Sequence, residues 1–88
     1  SVLRLNPENV GAYINLGIVL DDQGKTKQAV EAYEQAIQRD PNSATAYHNL
    51  GIALRRMGKT EDAIAAYQRA IDLNPRYTSA YISLGNAL

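Results

Sequence analysis

The sequence repeats itself with a period of 34 residues, and this feature limits the folds open to the chain more than any other. Residues of the same type recur at that spacing at several positions, which are Pro7, Pro41 and Pro75, Tyr13, Tyr47 and Tyr81, Leu16, Leu50 and Leu84, and Gly17, Gly51 and Gly85. A fixed period of about 20 to 50 residues is typical of chains that stack one small structural unit. The repeat therefore predicts an array of similar units whose core runs along the stack.

Within one period, apolar residues recur at spacings of three and four, which places them on one face of a helix. One set lies in the first half of the period: Ala12, Tyr13, Leu16, Gly17 and Leu20. A second set lies in the other half: Ala29, Val30, Tyr33, Ala36 and Ile37. The pattern predicts five helices, at about 9–22, 26–39, 44–56, 60–73 and 78–88.

Residues that favour the ends of helices separate these segments. Gly24 can adopt the left-handed conformation that closes a helix, Thr26 is a plausible N-cap of the next helix, and Pro41 stops that helix. Gly17 and its two equivalents lie inside helices, where each costs up to about 1 kcal/mol relative to alanine. Because the glycine recurs despite this cost, we expect it to allow close approach of paired helices.

The order of residues in one period resembles the signature of the tetratricopeptide repeat family. It reads Tyr13, two residues, Leu16-Gly17, two residues and Leu20, followed by Ala29, three residues, Tyr33 and finally Pro41. This chain has tyrosine where the signature usually begins with Trp, leucine at a position where Tyr is frequent, and tyrosine in place of Phe. These replacements keep side chains that are bulky and apolar. The resemblance implies an all-α fold, with helix-turn-helix repeats stacked as a right-handed solenoid. The first helices would line its concave side and the second helices its convex back.

In this register the chain contains two full repeats, at 10–43 and 44–77. Residues 1–9 match the tail of a preceding repeat, and 78–88 match the first helix of a third, truncated repeat. The resemblance thus extends over the whole chain.

The residues that catalysis requires are absent or poorly arranged. The chain has no Cys, and His48 is its single histidine, so neither a disulfide nor a thiolate or histidine metal site is expected. We expect His48 to be an exposed helix residue that at most contacts a ligand in the groove. The carboxylates of Asp21 and Asp22 diverge by about 100° on a helix, and the glycines form no phosphate-binding motif. The chain is therefore predicted not to be an enzyme and to need no cofactor or metal.

Charge and hydropathy narrow the classes of partner. Nine Lys and Arg balance nine Asp and Glu, so no net field favours nucleic acid. No apolar stretch approaches the roughly 20 residues of a membrane-spanning helix, and the first residues lack the apolar run of a secretory signal. We expect a protein or peptide partner, no nucleic acid or membrane, and the cytoplasm as the default compartment.

The resemblance implies a groove lined by residues of the first helices outside their packed faces. The predicted groove residues are Ile14, Asn15, Ile18, Asp22, Thr45, His48, Asn49, Ile52, Arg56, Ser79 and Ser83. The same faces also carry Arg55 and Asn86. The three isoleucines suggest a partly apolar floor suited to apolar side chains of a peptide or an amphipathic helix.

Asn15 and Asn49 resemble the asparagine ladder of the O-linked N-acetylglucosamine transferase superhelix, which grips an extended peptide backbone. An amide suits that role because it both donates and accepts hydrogen bonds. The ladder is interrupted at Ser83. Asparagine is also frequent at this position in tetratricopeptide repeats that have no ladder, and this habit of the family explains Asn15 and Asn49 equally well. The two-carboxylate clamp of the co-chaperone members is not expected, because Asn49 alone matches it.

Two equivalent pairs of charged residues have opposite sign, Asp21-Asp22 in one repeat and Arg55-Arg56 in the next. A salt bridge between repeats, with Asp22 coupled to Arg56, is the favoured interpretation. The alternative is a bipolar end of the groove that orients a charged ligand.

These patterns leave three functional hypotheses. The first is a scaffold that binds a peptide or partner segment in the groove. The second is a structural segment that self-associates end to end through apolar residues near its ends, namely Val2, Leu5, Leu84 and Leu88. The third is a non-catalytic repeat region of a larger enzyme, such as a glycosyltransferase.

Overall fold

The structure, a computed structural model, describes residues 9–88, which form helices and connecting turns without a strand. The helices are α1 (Val10–Asp22), α2 (Thr26–Arg39), α3 (Ala44–Arg56), α4 (Thr60–Leu73) and α5 (Thr78–Ala87). The predicted helices are confirmed. Their bounds differ from the prediction by one residue at each of two ends, because Asn9 caps α1 and Leu88 follows α5.

Two of the first helices begin at a polar residue whose side chain caps the helix. The Asn9 side chain accepts a hydrogen bond of 3.1 Å from the backbone N–H of Ala12, and the Ser43 hydroxyl accepts one of 3.2 Å from Ala46. Each bond satisfies a backbone donor that has no partner within its helix. The chain direction at the start of α1 and α3 is therefore fixed by its local sequence.

The turn between the two helices of a repeat depends on a glycine with positive φ. Gly24 has φ of 81° and Gly58 has φ of 82°, which confirms the predicted left-handed conformation. The backbone N–H of Lys25 bonds to the Leu20 carbonyl at 2.8 Å, and that of Gly24 bonds to Asp21 at 3.0 Å. This pair of bonds is a Schellman motif, and it ends α1 and redirects the chain into α2.

The predicted role of Thr26 as an N-cap is wrong. Lys25 occupies the cap position without a side-chain bond, and Thr26 is the first residue of α2. The Thr26 hydroxyl instead donates to Oδ1 of Asp21 at 3.0 Å. The tight Gly24 turn brings the end of α1 within reach of this hydroxyl, so Thr26 joins the two helices of the repeat.

The recurring helical glycines permit close contact with a tyrosine of the second helix. A Cβ built on Gly17 would lie 2.4 Å from Cε1 of Tyr33, and one on Gly51 would lie 2.5 Å from Cε1 of Tyr67. No side chain larger than hydrogen fits at that distance. The close approach expected from the sequence is therefore confirmed for both complete helix pairs.

Successive helices stack in chain order, and the first helices also contact one another. The pairs α1 with α2 and α3 with α4 pack most extensively, α2 packs on α3 and α4 on α5, and α3 touches both α1 and α5. Fully buried alanines lie at these contacts, namely Ala29, Ala36, Ala46, Ala53, Ala63, Ala70 and Ala80. The described residues thus form an all-α repeat solenoid in which α1, α3 and α5 lie side by side.

Candidate functional site

The contacts of α3 with α1 and α5 create one continuous surface, which we call the first-helix face. Six of the predicted groove residues are exposed: Asn15, Ile18, Asp22, Thr45, Arg56 and Ser79. Three are half-buried: Asn49, Ile52 and Ser83. Two are buried, Ile14 and His48, and these two occupy equivalent positions of consecutive repeats.

Ile14 belongs to the hydrophobic core, where its side chain is 9 % exposed and lies in one cluster with Tyr33 and Ala46. Its position faces the neighbouring first helix, so the next repeat covers it. Apolar surface on the first-helix face therefore comes from Ile18, which is 40 % exposed, and from the half-buried Ile52.

The expectation that His48 is exposed is wrong, because its side chain is only 8 % exposed. Its Nδ1 lies 3.2 Å from the Tyr77 hydroxyl, and its Nε2 lies 3.0 Å from the Ser83 hydroxyl. A neutral imidazole donates from one ring nitrogen and accepts at the other, so both hydroxyls satisfy it. Burial lowers the pKa of His48 below its ordinary value of 6.5, which favours this neutral form. His48 therefore connects α3 to Ser83 of α5 and to Tyr77, the residue that precedes α5.

Two departures from the repeat pattern could have revealed this role. Tyr77 stands where the preceding repeats have Ser43 and Asn9, and Ser83 stands where they have asparagine. Both substituted residues are the hydrogen-bond partners of His48, which itself replaces an isoleucine. The three residues together form one polar contact around a position that isoleucine occupies in the first repeat.

The inter-repeat salt bridge exists, but its acid is Asp21 and not the predicted Asp22. Nη1 of Arg56 donates to Oδ2 of Asp21 at 2.6 Å, while Oδ1 of the same carboxylate accepts from Thr26. The Asp21 side chain is 8 % exposed, whereas Asp22 is exposed to solvent. Adjacent helix residues diverge by about 100°, so only one of the two acids can face α3.

A pocket of about 320 Å³ opens on the first-helix face between α3 and α5. Its lining combines two guanidinium groups with polar and apolar groups, contributed by Ile52, Arg55, Arg56, Tyr67, Ser83 and Asn86. Five of these residues, all except Tyr67, lie on the predicted groove faces of α3 and α5. The pocket is thus a cationic recess. The sequence predicts that most of its lining residues share one face, but it does not predict that they enclose a cavity.

The buried tyrosines beside the charged pairs have different electrostatic surroundings. Burial, together with the charges of Asp21 and Asp22 and against the opposing charge of Arg56, raises the pKa of Tyr33 to about 12. Burial also raises the pKa of Tyr67, but there the charges of Arg55 and Arg56 lower it. The surroundings of the phenol are therefore mainly acidic in the first repeat and basic in the second.

The predicted self-association residues are only partly described. Leu84 is half-buried and Leu88 is 83 % exposed, while Val2 and Leu5 lie outside the described residues. On α5, Tyr81 and Ile82 are also exposed, at 48 % and 60 %.

Over residues 9–88 the structure has no group of three or more His, Cys, Asp or Glu side chains that could hold a metal ion. None of the helices in that range combines the length and the apolar character that crossing a membrane requires.

Several solved structures share this architecture. A crystal structure of MamA superposes with a TM-score of 0.89 at 32 % identity, covering 94 % of this chain and 48 % of the MamA chain. The second TPR of Spaghetti (RPAP3), bound to the HSP90 peptide SRMEEVD, has a TM-score of 0.88 at 27 % identity, covering 93 % of this chain and 76 % of that one. The TPR2AB domain of yeast Sti1, in complex with pHSP90, has a TM-score of 0.88 at 31 % identity, covering 94 % and 32 %.

The chain thus spans about half the length of the MamA chain. No curated protein matches it in sequence. The sequence profile described as Tetratricopeptide repeat matches residues 1–44, 14–75 and 48–88, which together span all 88 residues. The chain therefore belongs to the tetratricopeptide repeat family.

Proposed function

We propose that the chain is a protein interaction scaffold that binds an extended peptide along its first-helix face. The observation that carries this proposal is that two solved relatives of the same fold, the Spaghetti and Sti1 domains, hold HSP90 segments. The first-helix face of this chain combines exposed amides, apolar side chains and a recess, which suits a peptide with both backbone and side-chain contacts.

Two asparagines supply the contacts to the peptide backbone. Asn15 is exposed and Asn49 is half-buried, and among residues 9–88 neither side chain has a hydrogen-bond partner. Each amide can donate to one peptide carbonyl and accept from one peptide N–H. Ser83 does not continue the series, because its hydroxyl is engaged by His48.

The proposal is tested with peptides selected from a random library by the immobilised chain, followed by titration calorimetry. The Asn15→Ala, Asn49→Ala double variant is expected to bind a selected peptide at least about thirtyfold more weakly, because it loses four hydrogen bonds that contribute about 0.5 to 1.5 kcal/mol each. Circular dichroism is expected to report unchanged helicity, since both amides lie on the surface of their helices.

A matched control removes two exposed amides from the second helices, Gln38→Ala with Gln68→Ala, and is expected to leave affinity unchanged. Equal affinity of the asparagine variant and the unsubstituted chain would remove the ladder from the proposal. Failure to select any peptide would contradict the scaffold itself.

A second candidate function is end-to-end self-association, and the exposure of α5 favours it. Tyr81, which is 48 % exposed, is the equivalent of the half-buried Tyr47, and Leu88, which is 83 % exposed, is the equivalent of the half-buried Leu54. Tyr81 on α5 and Leu88 after it are thus more exposed than their equivalents in the second repeat, and we propose a second copy of the chain as the partner of this surface.

A further inference from the structure

We propose that the pocket between α3 and α5 binds the carboxylate of an acidic side chain in the bound peptide. This inference rests on the proposed scaffold function and assigns the chemistry of one part of its ligand. The pocket is the recess of about 320 Å³ that Arg55, Arg56, Ser83 and Asn86 line together with Ile52 and Tyr67.

The composition of the pocket favours an anion. Two guanidinium groups line it, and no Asp or Glu of the described residues does. Arg55 is exposed and makes no hydrogen bond or ion pair with residues 9–88. Arg56 is bound to Asp21, so Arg55 is the cation with its donors available. A guanidinium presents a planar fork of N–H donors that matches the two oxygens of a carboxylate.

In the preceding repeat, the position equivalent to Arg55 carries an acidic residue that forms an ion pair. Asp21 is the equivalent of Arg55, and its carboxylate receives the guanidinium of Arg56 from the next repeat at 2.6 Å. The gap between consecutive first helices therefore accommodates a carboxylate and a guanidinium in contact. In the second repeat the residue at this position is an arginine, so the complementary group is a carboxylate.

The electrostatic surroundings of the two tyrosines agree with this assignment. The hydroxyl of Tyr33 lies in a field dominated by Asp21, whereas that of Tyr67 lies in the field of Arg55 and Arg56. Acidic and basic side chains both already lie near Tyr33. The site around Tyr67 has only positive charge, which a ligand carboxylate would neutralise.

The remaining lining groups suit an acidic side chain rather than a free ion. Asn86 on α5 has a side-chain amide that can donate to the second carboxylate oxygen, and Ile52 offers methyl groups to the aliphatic stem of Asp or Glu. The pocket also continues the face that carries Asn49, so a peptide held there reaches it without leaving α3.

The pocket is tested by NMR titration of the ¹⁵N-labelled 88-residue chain with two C-terminally amidated peptides, SRMEEVD and its glutamine counterpart SRMQQVD. At low salt the glutamate peptide is expected to bind roughly five- to tenfold more tightly and to shift the side-chain amide of Asn86. In Arg55→Gln this preference is expected to fall to about one. Arg76→Gln is the matched control, because it removes an exposed arginine in the turn before α5 and is expected to keep the preference.

Equal affinity of the two peptides, or a preference that survives Arg55→Gln, would overturn the assignment. A peptide with phosphoserine in place of glutamate tests whether the pocket prefers a phosphate to a carboxylate. If this peptide binds more than tenfold more tightly than the glutamate peptide, the pocket is assigned to phosphate instead. Sodium acetate, exchanged against chloride at constant ionic strength, probes the pocket without a peptide. An Asn86 amide that does not respond to acetate also overturns the assignment.

The same spectra separate failure of the pocket from failure of the scaffold. Peptides that shift the amides of Asn15 and Asn49 but leave Asn86 unaffected would contradict the pocket while supporting the scaffold. An acetate response at Asn86 without any peptide shift at the asparagines would support the anion site and contradict peptide binding along the face.

Discussion

His48 is a polar residue at a position that the repeat otherwise fills with isoleucine. Its two ring nitrogens are bound by the hydroxyls of Tyr77 and Ser83, so the polar contact is complete only because three residues changed together. A helix-periodicity argument treats each residue separately and predicts exposure for a lone histidine. The buried network could be recognised only by asking which off-pattern residues would meet in space.

The buried histidine makes stability depend on pH. Because burial lowers the pKa of His48 in the folded chain, the unfolded chain binds more protons between the folded pKa and the ordinary value of 6.5. The free energy of unfolding is therefore expected to be constant above about pH 7.5 and to fall as pH decreases through about 6.5 toward the folded pKa. Urea denaturation at several pH values measures it.

The matched variant is His48→Ile, which introduces the residue found at both equivalent positions, 14 and 82. It has no group that titrates near neutral pH, so its stability is expected to stay level from about pH 7.5 to pH 5.5, above the range where carboxylates titrate. An unchanged pH profile in the variant would show that another group is responsible.

The ion pair between repeats is a second case in which the structure differs from the sequence prediction at the level of single residues. The sequence predicts coupling of two consecutive repeats by charge, but it does not distinguish Asp21 from Asp22, since only the rotation of α1 about its axis decides which acid faces α3. The structure assigns the contact to Asp21.

A double-mutant cycle with Asp21→Asn and Arg56→Gln is expected to give a coupling free energy of about 0.5 to 1 kcal/mol at low salt. Arg56 is 56 % exposed, so the pair is partly screened and the coupling is expected to decrease as salt rises. The same cycle with Asp22→Asn is the control and is expected to give no coupling. Coupling that is larger with Asp22 than with Asp21 would contradict the geometry.

At the scale of elements, the sequence predicts the helices closely because several local signals agree. Periodic apolar residues define each helix, Gly24 and Gly58 end the first helix of each repeat, and the spacing of 34 residues repeats every boundary. What it misses depends on neighbours in space. Ile14 and His48 look like free surface on an isolated helix, but each is covered once the next first helix packs against it.

The helical glycines give a prediction that compares two elements in one protein. Gly51→Ala places a methyl group against the ring of Tyr67, so it is expected to destabilise the chain by roughly 1 to 3 kcal/mol, despite the better helix propensity of alanine. Gly85→Ala is the matched control, since nothing described lies within 4 Å of its added Cβ. It is expected to be neutral or to stabilise by up to about 1 kcal/mol.

Both changes are measured by thermal and urea unfolding followed by circular dichroism. Destabilisation of similar size at both glycines would mean that the close contact with Tyr67 is not the reason for glycine at this position.

At the scale of the whole molecule, stability comes from contacts between neighbouring helices, since each described helix contacts only helices one or two places away in chain order. The repeat period predicts this architecture directly. It does not predict how much of a helix is covered, because coverage depends on what is stacked against it. Tyr47 and Tyr81 occupy equivalent positions, yet one is half-buried and the other is 48 % exposed.

The exposed face of α5 leads to a prediction about association. Ile82 of α5 is 60 % exposed and Leu88, which follows α5, is 83 % exposed, while Leu84 of α5 is half-buried. Burial of apolar surface of this kind against a second copy is favourable by about 25 cal/mol per Å². We expect the 88-residue chain to self-associate through the α5 face at about millimolar concentration.

Sedimentation velocity over a concentration series measures this association. The Ile82→Ser, Leu88→Ser variant is expected to remain monomeric, because it removes the most exposed large apolar side chain of α5 and that of the residue that follows the helix. Ile18→Ser with Val19→Ser is the matched control, since it removes two exposed apolar residues of α1 without altering α5. A monomeric unsubstituted chain at millimolar concentration, or association that persists in the α5 variant, would contradict the predicted contact. Association lost equally in both variants would move the contact from α5 to the apolar surface shared with α1.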